Sequence, residues 1–112
     1  MNYRQITENY SVSGQIIPEE VAAIKAAGFQ SVICNRPDGE QPGQPSADSV
    51  RAAVEAAGLE FRHIPVVSGQ LTAADVAEQA AALDSLPGPV FAYCRSGARC
   101  ASLFSLARQA GR

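Results

Sequence analysis

Val90-Phe91-Ala92-Tyr93-Cys94-Arg95-Ser96-Gly97-Ala98-Arg99 is the stretch that decides the fold. A short apolar run, a tight polar loop and a helical pattern from Ala101 to Ala110 read as strand, loop and helix. Backbone N–H groups that turn inward around such a loop, with the positive end of a helix behind them, hold an anion and lower the pKa of a thiol at the floor. Cys94 is therefore expected to be ionised at neutral pH and to act as a covalent nucleophile. Arg95, Ser96, Gly97, Ala98 and Arg99 form the expected anion-binding loop. Arg99, planar and permanently charged, is placed to clamp a bound oxyanion or to pair with the thiolate.

Composition sets the limits around that loop. The 112 residues make one domain, residues 1–112, able to bury roughly two thirds of its unfolded surface without a metal or disulfide staple. A net charge of -2 and a pI near 5.3 leave no broad basic face, which argues against nucleic acid as a partner. Three cysteines at irregular spacing do not make a disulfide framework, so a reducing compartment is expected. The polar start, Met1-Asn2-Tyr3-Arg4-Gln5, and the lack of any membrane-length apolar run point to the cytoplasm and away from a membrane. Neither a cofactor nor a metal is expected.

Along the chain, strand and helix patterns alternate. Tyr10-Ser11-Val12-Ser13 reads as a short strand. Pro18, Glu19 and Glu20 open a helical pattern whose face carries Ile17, Val21 and Ile24, with Gly28 as its stop. Ser31-Val32-Ile33-Cys34 is a buried strand that delivers the chain to the polar loop Asn35-Arg36-Pro37-Asp38-Gly39-Glu40. Ser46 caps a second helix ended by Gly58, and Leu59 to Val67 reads as a strand closed by Pro65. Thr72 and Asp75 form a capping box for a third helix, stopped at Leu86-Pro87-Gly88-Pro89, and Gly111 closes the last one. Helices between all strands predict a three-layer α/β domain: a mostly parallel sheet of about four strands, covered on both faces. The loop after Cys94 then lies at a strand's carboxyl end, where such sheets bind ligands.

Four separated motifs in order, Val12-Ser13-Gly14-Gln15-Ile16, Asn35-Arg36-Pro37-Asp38-Gly39-Glu40, Ile64-Pro65-Val66 and Tyr93-Cys94-Arg95-Ser96-Gly97, resemble the phosphatase-like domain of beta-lactamase-hydrolase-like proteins, also called domain of unknown function 442. That family is related in fold to dual-specificity protein phosphatases and is fused in some proteins to a metallo-hydrolase of the persulfide dioxygenase type. The resemblance implies a cysteine-phosphatase-like sheet, Cys94 as nucleophile, Arg99 as anion clamp, and a persulfide dioxygenase-type enzyme as a partner.

The sequence departs from the phosphatase pattern twice. Four residues, not the usual five, separate Cys94 from Arg99, the spacing of rhodanese-type sulfurtransferases. The shorter loop loses an inward N–H and suits a terminal sulfur better than a tetrahedral phosphoryl group. Val67-Ser68-Gly69-Gln70 also lacks the aspartate that phosphatases of this fold carry there as proton donor, so Asp38 or Glu40 would have to substitute. Both departures favour sulfur transfer, with Cys94 taking a persulfide from a persulfide or thiosulfate donor and passing it to a thiol. The alternative is a phosphatase working through a Cys94 phosphocysteine on a phosphoester substrate. A non-catalytic oxyanion-binding module is the third reading.

Accessory roles are expected at the rim. Arg36 and Asp38 either line the mouth of the site or stabilise a turn. His63, the lone histidine, is expected to make a structural hydrogen bond, with proton transfer as the lesser alternative. Cys100 either resolves a modified Cys94 or is a small buried helix residue, and Cys34 reads as core.

Overall fold

In a computed structural model describing residues 2–110, five strands form one sheet in the order β1-β2-β5-β3-β4. In chain order the elements are β1 (Tyr3–Thr7), β2 (Tyr10–Ser13), a 3-10 turn (Pro18–Glu20), α1 (Val21–Ala26), β3 (Ser31–Cys34) and α2 (Ala47–Ala56). Then follow β4 (Glu60–His63), α3 (Ala73–Ser85), β5 (Val90–Tyr93) and α4 (Ala98–Ala110). All neighbouring strands are parallel except β1, which pairs antiparallel with β2. The expected α/β domain is present, with one strand more than the four anticipated.

Strand alternation sorts the core into two layers. Val32, Cys34, Phe91 and Tyr93 point to one face and pack with Val21 and Ile24 of α1 and Val50 and Val54 of α2. Ile33, Ala92 and Cys94 point to the other face, against Ala82 of α3 and Cys100 and Phe104 of α4. Tyr10 joins this second layer, stacked on Phe104 at 4.3 Å between ring centroids. A buried polar chain crosses the layer: Gln79 donates to the Tyr10 hydroxyl at 3.2 Å and exchanges hydrogen bonds with Asn35, and the Tyr10 hydroxyl donates to the Cys100 carbonyl at 2.9 Å.

The local signals act where the sequence places them. Ser46 caps α2 by accepting the Ser49 N–H at 3.1 Å, and Thr72 and Asp75 close a reciprocal capping box on α3. Three boundaries differ from expectation. β1 and β2 form a hairpin, so no helix separates that pair. The fourth strand ends at His63, although Ile64 and Val66 still donate N–H bonds toward Cys34 and Asn35; Pro65 between them has no N–H to continue the ladder. α4 starts at Ala98 instead of Ala101, where the Gly97 carbonyl accepts the Ala101 N–H. Gly111 lies outside the described residues.

Candidate active site

β5 lies between β2 and β3, so the chain must cross over it from β2 to β3, and the carboxyl end of β5 sits at the crevice this crossover creates. Cys94 leaves that end. Its N–H donates to the Ser13 carbonyl at 3.1 Å, which extends the β2 pairing by one residue. The loop is braced by the segment following β2: the Gln15 N–H reaches the Arg95 carbonyl at 3.4 Å, and a Cβ on Gly97 would lie 3.5 Å from the Ser13 backbone. Gly97 has φ +95°, a conformation that favours glycine, and this turns its N–H onto Cys94 Sγ at 3.1 Å.

The Cys94 thiol is drawn down to about 5. The Cys100 thiol is the largest cause, opposed by burial and assisted by the backbone N–H groups of Cys100, Ser96 and Gly97. Cys100 is itself pushed up, by burial first and then by the neighbouring Cys94. The sulfur cradle is therefore narrower than the expected run of N–H groups from Arg95 to Arg99, because the Ala98 N–H turns to the Ser96 hydroxyl.

A cavity of about 420 Å³ opens beside the loop, lined by Arg36, Glu40, Gln41, Ser68, Arg95 and Arg99 with the Ser96 and Ala98 backbone turn. Cys94 contributes no exposed surface to it. Glu40 sits between two guanidinium groups. Arg99 grips both of its carboxylate oxygens, Nη1 to Oε2 at 2.7 Å and Nη2 to Oε1 at 2.9 Å, and also donates to the Val66 carbonyl at 2.9 Å. Arg36, only 2% exposed, donates Nε to Glu40 Oε1 at 2.8 Å, with Gln15 and Gln41 accepting from its other nitrogens at 3.0 Å. Arg99 first, against some burial, and then Arg36 hold the Glu40 carboxyl down to about 2.

Of the sequence candidates, the structure brings Cys94, Arg95, Ser96, Gly97, Ala98, Arg99, Cys100 and Arg36 together. Asp38 and His63 do not join the cavity lining. Asp38 accepts the Ala47 N–H at 2.8 Å at the start of α2. His63 Nε2 lies 3.0 Å from the Arg36 carbonyl, the structural bond expected of it. Sequence reasoning missed Gln15 and Gln41, which seat Arg36. Gln15 was discoverable in principle, because it follows the strand that pairs beside the nucleophile's own. Among the described residues, no cluster of three or more His, Cys, Asp or Glu is placed to hold a metal ion. No helix there is long and apolar enough to cross a membrane.

Residues 2–111 match the family model described as "Beta-lactamase hydrolase-like protein, phosphatase-like domain". A beta-lactamase hydrolase-like protein of Agrobacterium fabrum is 37% identical over 102 residues, covering 91% of this chain and 24% of that protein. The chain spans about a quarter of the length of the curated relatives it matches. A candidate phosphatase from Neisseria meningitidis superposes with a TM-score of 0.86 at 32% identity, covering 94% of this chain and 75% of that one. The core catalytic domain of a PP-IP phosphatase from S. cerevisiae shares the fold at a TM-score of 0.72 and 12% identity, covering 96% of this chain and 65% of that one.

Proposed function

The chain belongs to the family of phosphatase-like domains of beta-lactamase hydrolase-like proteins, and from that premise we propose that it is a thiolate-dependent phosphatase acting through a phosphocysteine on Cys94. One observation carries this reading: a sulfur ionised at neutral pH under the Gly97 N–H, beside a loop that ends in the Arg99 guanidinium. The phosphatase-like relatives support it over sulfur transfer.

In the first step Cys94 Sγ attacks phosphorus and the bond to the leaving oxygen breaks. Loop N–H groups and Arg99 stabilise the equatorial oxygens as charge redistributes onto them. Glu40 and the Val66 carbonyl take both N–H groups of Arg99 Nη1 and Glu40 takes one of Nη2, which orients the guanidinium plane and leaves Nε–H and the second N–H of Nη2 to face an oxyanion. Cys94 has no exposed surface in the unliganded chain, so substrate approach requires the exposed residues Arg95 and Ser96 of the loop to move aside while the Gly97 N–H stays on the sulfur. In the second step water attacks the phosphocysteine and returns the thiolate.

Sulfur transfer is the second reading, favoured by the ion-paired state of Glu40: a chemistry whose leaving groups are stable thiolates or sulfite needs no proton donor. On that reading a persulfide dioxygenase-type enzyme is the expected partner. Turnover of p-nitrophenyl phosphate, run beside thiosulfate with cyanide as acceptor, separates the two. Phosphate release that disappears in Cys94→Ser is the expected result; thiocyanate formation without phosphate release reverses the assignment.

A further inference from the structure

We propose that this site takes a phosphoryl group carried on an acidic oxygen, as in an aryl phosphate or a phosphoanhydride, and expels that oxygen as an anion with no proton donor. The inference rests on the phosphatase reading of Cys94 and adds to it the class of substrate.

Each candidate for protonating a leaving oxygen is either held in an ion pair or placed outside the cavity. Glu40 is the one carboxyl lining the cavity among the described residues, and both its oxygens are held by guanidinium nitrogens at 2.7–2.9 Å, Arg99 on one side and buried Arg36 on the other. Protonating it would break a charge-assisted network of three bonds. Asp38 and His63 lie outside the cavity lining, Asp38 accepting the Ala47 N–H through Oδ1 and His63 bonded through Nε2 to the Arg36 carbonyl. The exposed turn after Val66 offers Ser68 and Gln70, a hydroxyl and an amide, and neither is an acid at neutral pH. The Cys100 thiol is fully buried and does not line the cavity.

The balance closes without such a donor. Cys94 thiolate forms the S–P bond, the P–O bond breaks, and its electron pair departs on the oxygen. Water then forms a new P–O bond as S–P breaks, its protons remaining on the released phosphate while the sulfur recovers its charge. The first step is fast only when the departing oxygen is weakly basic. A phenol has a pKa of about 10, whereas an alkoxide approaches the far greater basicity of hydroxide.

The test measures kcat/KM for a series of substituted phenyl phosphates, with an alkyl phosphate and inorganic pyrophosphate added, in the wild-type chain and in Glu40→Gln. We expect rates to fall steadily as leaving-group basicity rises and the alkyl phosphate to lie at least about 10²-fold below p-nitrophenyl phosphate, the contribution a general acid would have supplied. The slope should be the same in Glu40→Gln, even where absolute rates change. A level response in the wild type overturns the inference, and a level response that steepens in Glu40→Gln makes Glu40 the missing acid. No phosphate release from any member of the series instead removes the phosphatase reading itself.

Discussion

Cys94 and Cys100 act on each other in opposite directions: the Cys100 thiol draws Cys94 down to about 5, while burial first and then Cys94 push Cys100 up. The ionised partner is the one beneath the loop. A residue placed directly after the arginine thus acts on the nucleophile from the helix side.

Cys100→Ala should therefore raise the Cys94 pKa toward its ordinary 9, while Cys100→Ser keeps a donor and shifts it less. The check is thiolate ultraviolet absorbance against pH, with Cys94→Ser as the blank. The folded pKa lies below the unfolded one, so the stability this ionisation contributes is full above pH 9 and is lost as pH falls through about 5. Activity should lose its acid limb near the same value in the wild type and at higher pH in Cys100→Ala.

Arg99→Lys should leave the fold intact and lower kcat by roughly 10²–10³, the typical cost of removing one oxyanion donor. A lysine ammonium retains the charge but not the flat fork that Glu40 and the Val66 carbonyl orient. Steady-state kinetics beside a thermal melt tests this. Unchanged turnover would take Arg99 out of the mechanism.

A methyl group on Gly14 would lie 2.9 Å from the Arg95 carbonyl oxygen, a backbone atom that cannot swing aside. Gly14→Ala is predicted to push the active loop from its seat, weakening tungstate binding measured by calorimetry. Gly97→Ala should destabilise the chain by about 1–2 kcal/mol, because its φ of +95° is strained for any residue with a Cβ.

Gln79→Leu should lower stability by about 1–3 kcal/mol in a urea titration, since it leaves the Asn35 side chain and the Tyr10 hydroxyl short of buried partners. Asn35 precedes Arg36, so a further drop in anion affinity is expected in the same variant.

Much of this was legible from local chemistry. The run from Val90 to Arg99, the Ser46 cap and the Thr72–Asp75 box carry their own instructions within a few residues. β1 was not legible, because Tyr3-Arg4-Gln5 is a largely exposed edge segment whose pairing is supplied by β2 and not by an apolar alternation of its own. In the site, Cys94 and Arg99 follow from loop chemistry. The Arg36–Glu40–Arg99 network does not, because its geometry depends on how far the β3–α2 loop leans over the end of β5. Asp38 shows the same limit: its position in a polar loop fits the mouth of the site or a turn equally, and the structure gives it instead the Ala47 N–H at the start of α2.

The most direct test of the account is the intact mass of the chain quenched during turnover of p-nitrophenyl phosphate. A gain of one phosphoryl group, mapped to Cys94 and absent in Cys94→Ser, is the predicted result. An unmodified mass throughout turnover, or turnover that survives in Cys94→Ser, would contradict it.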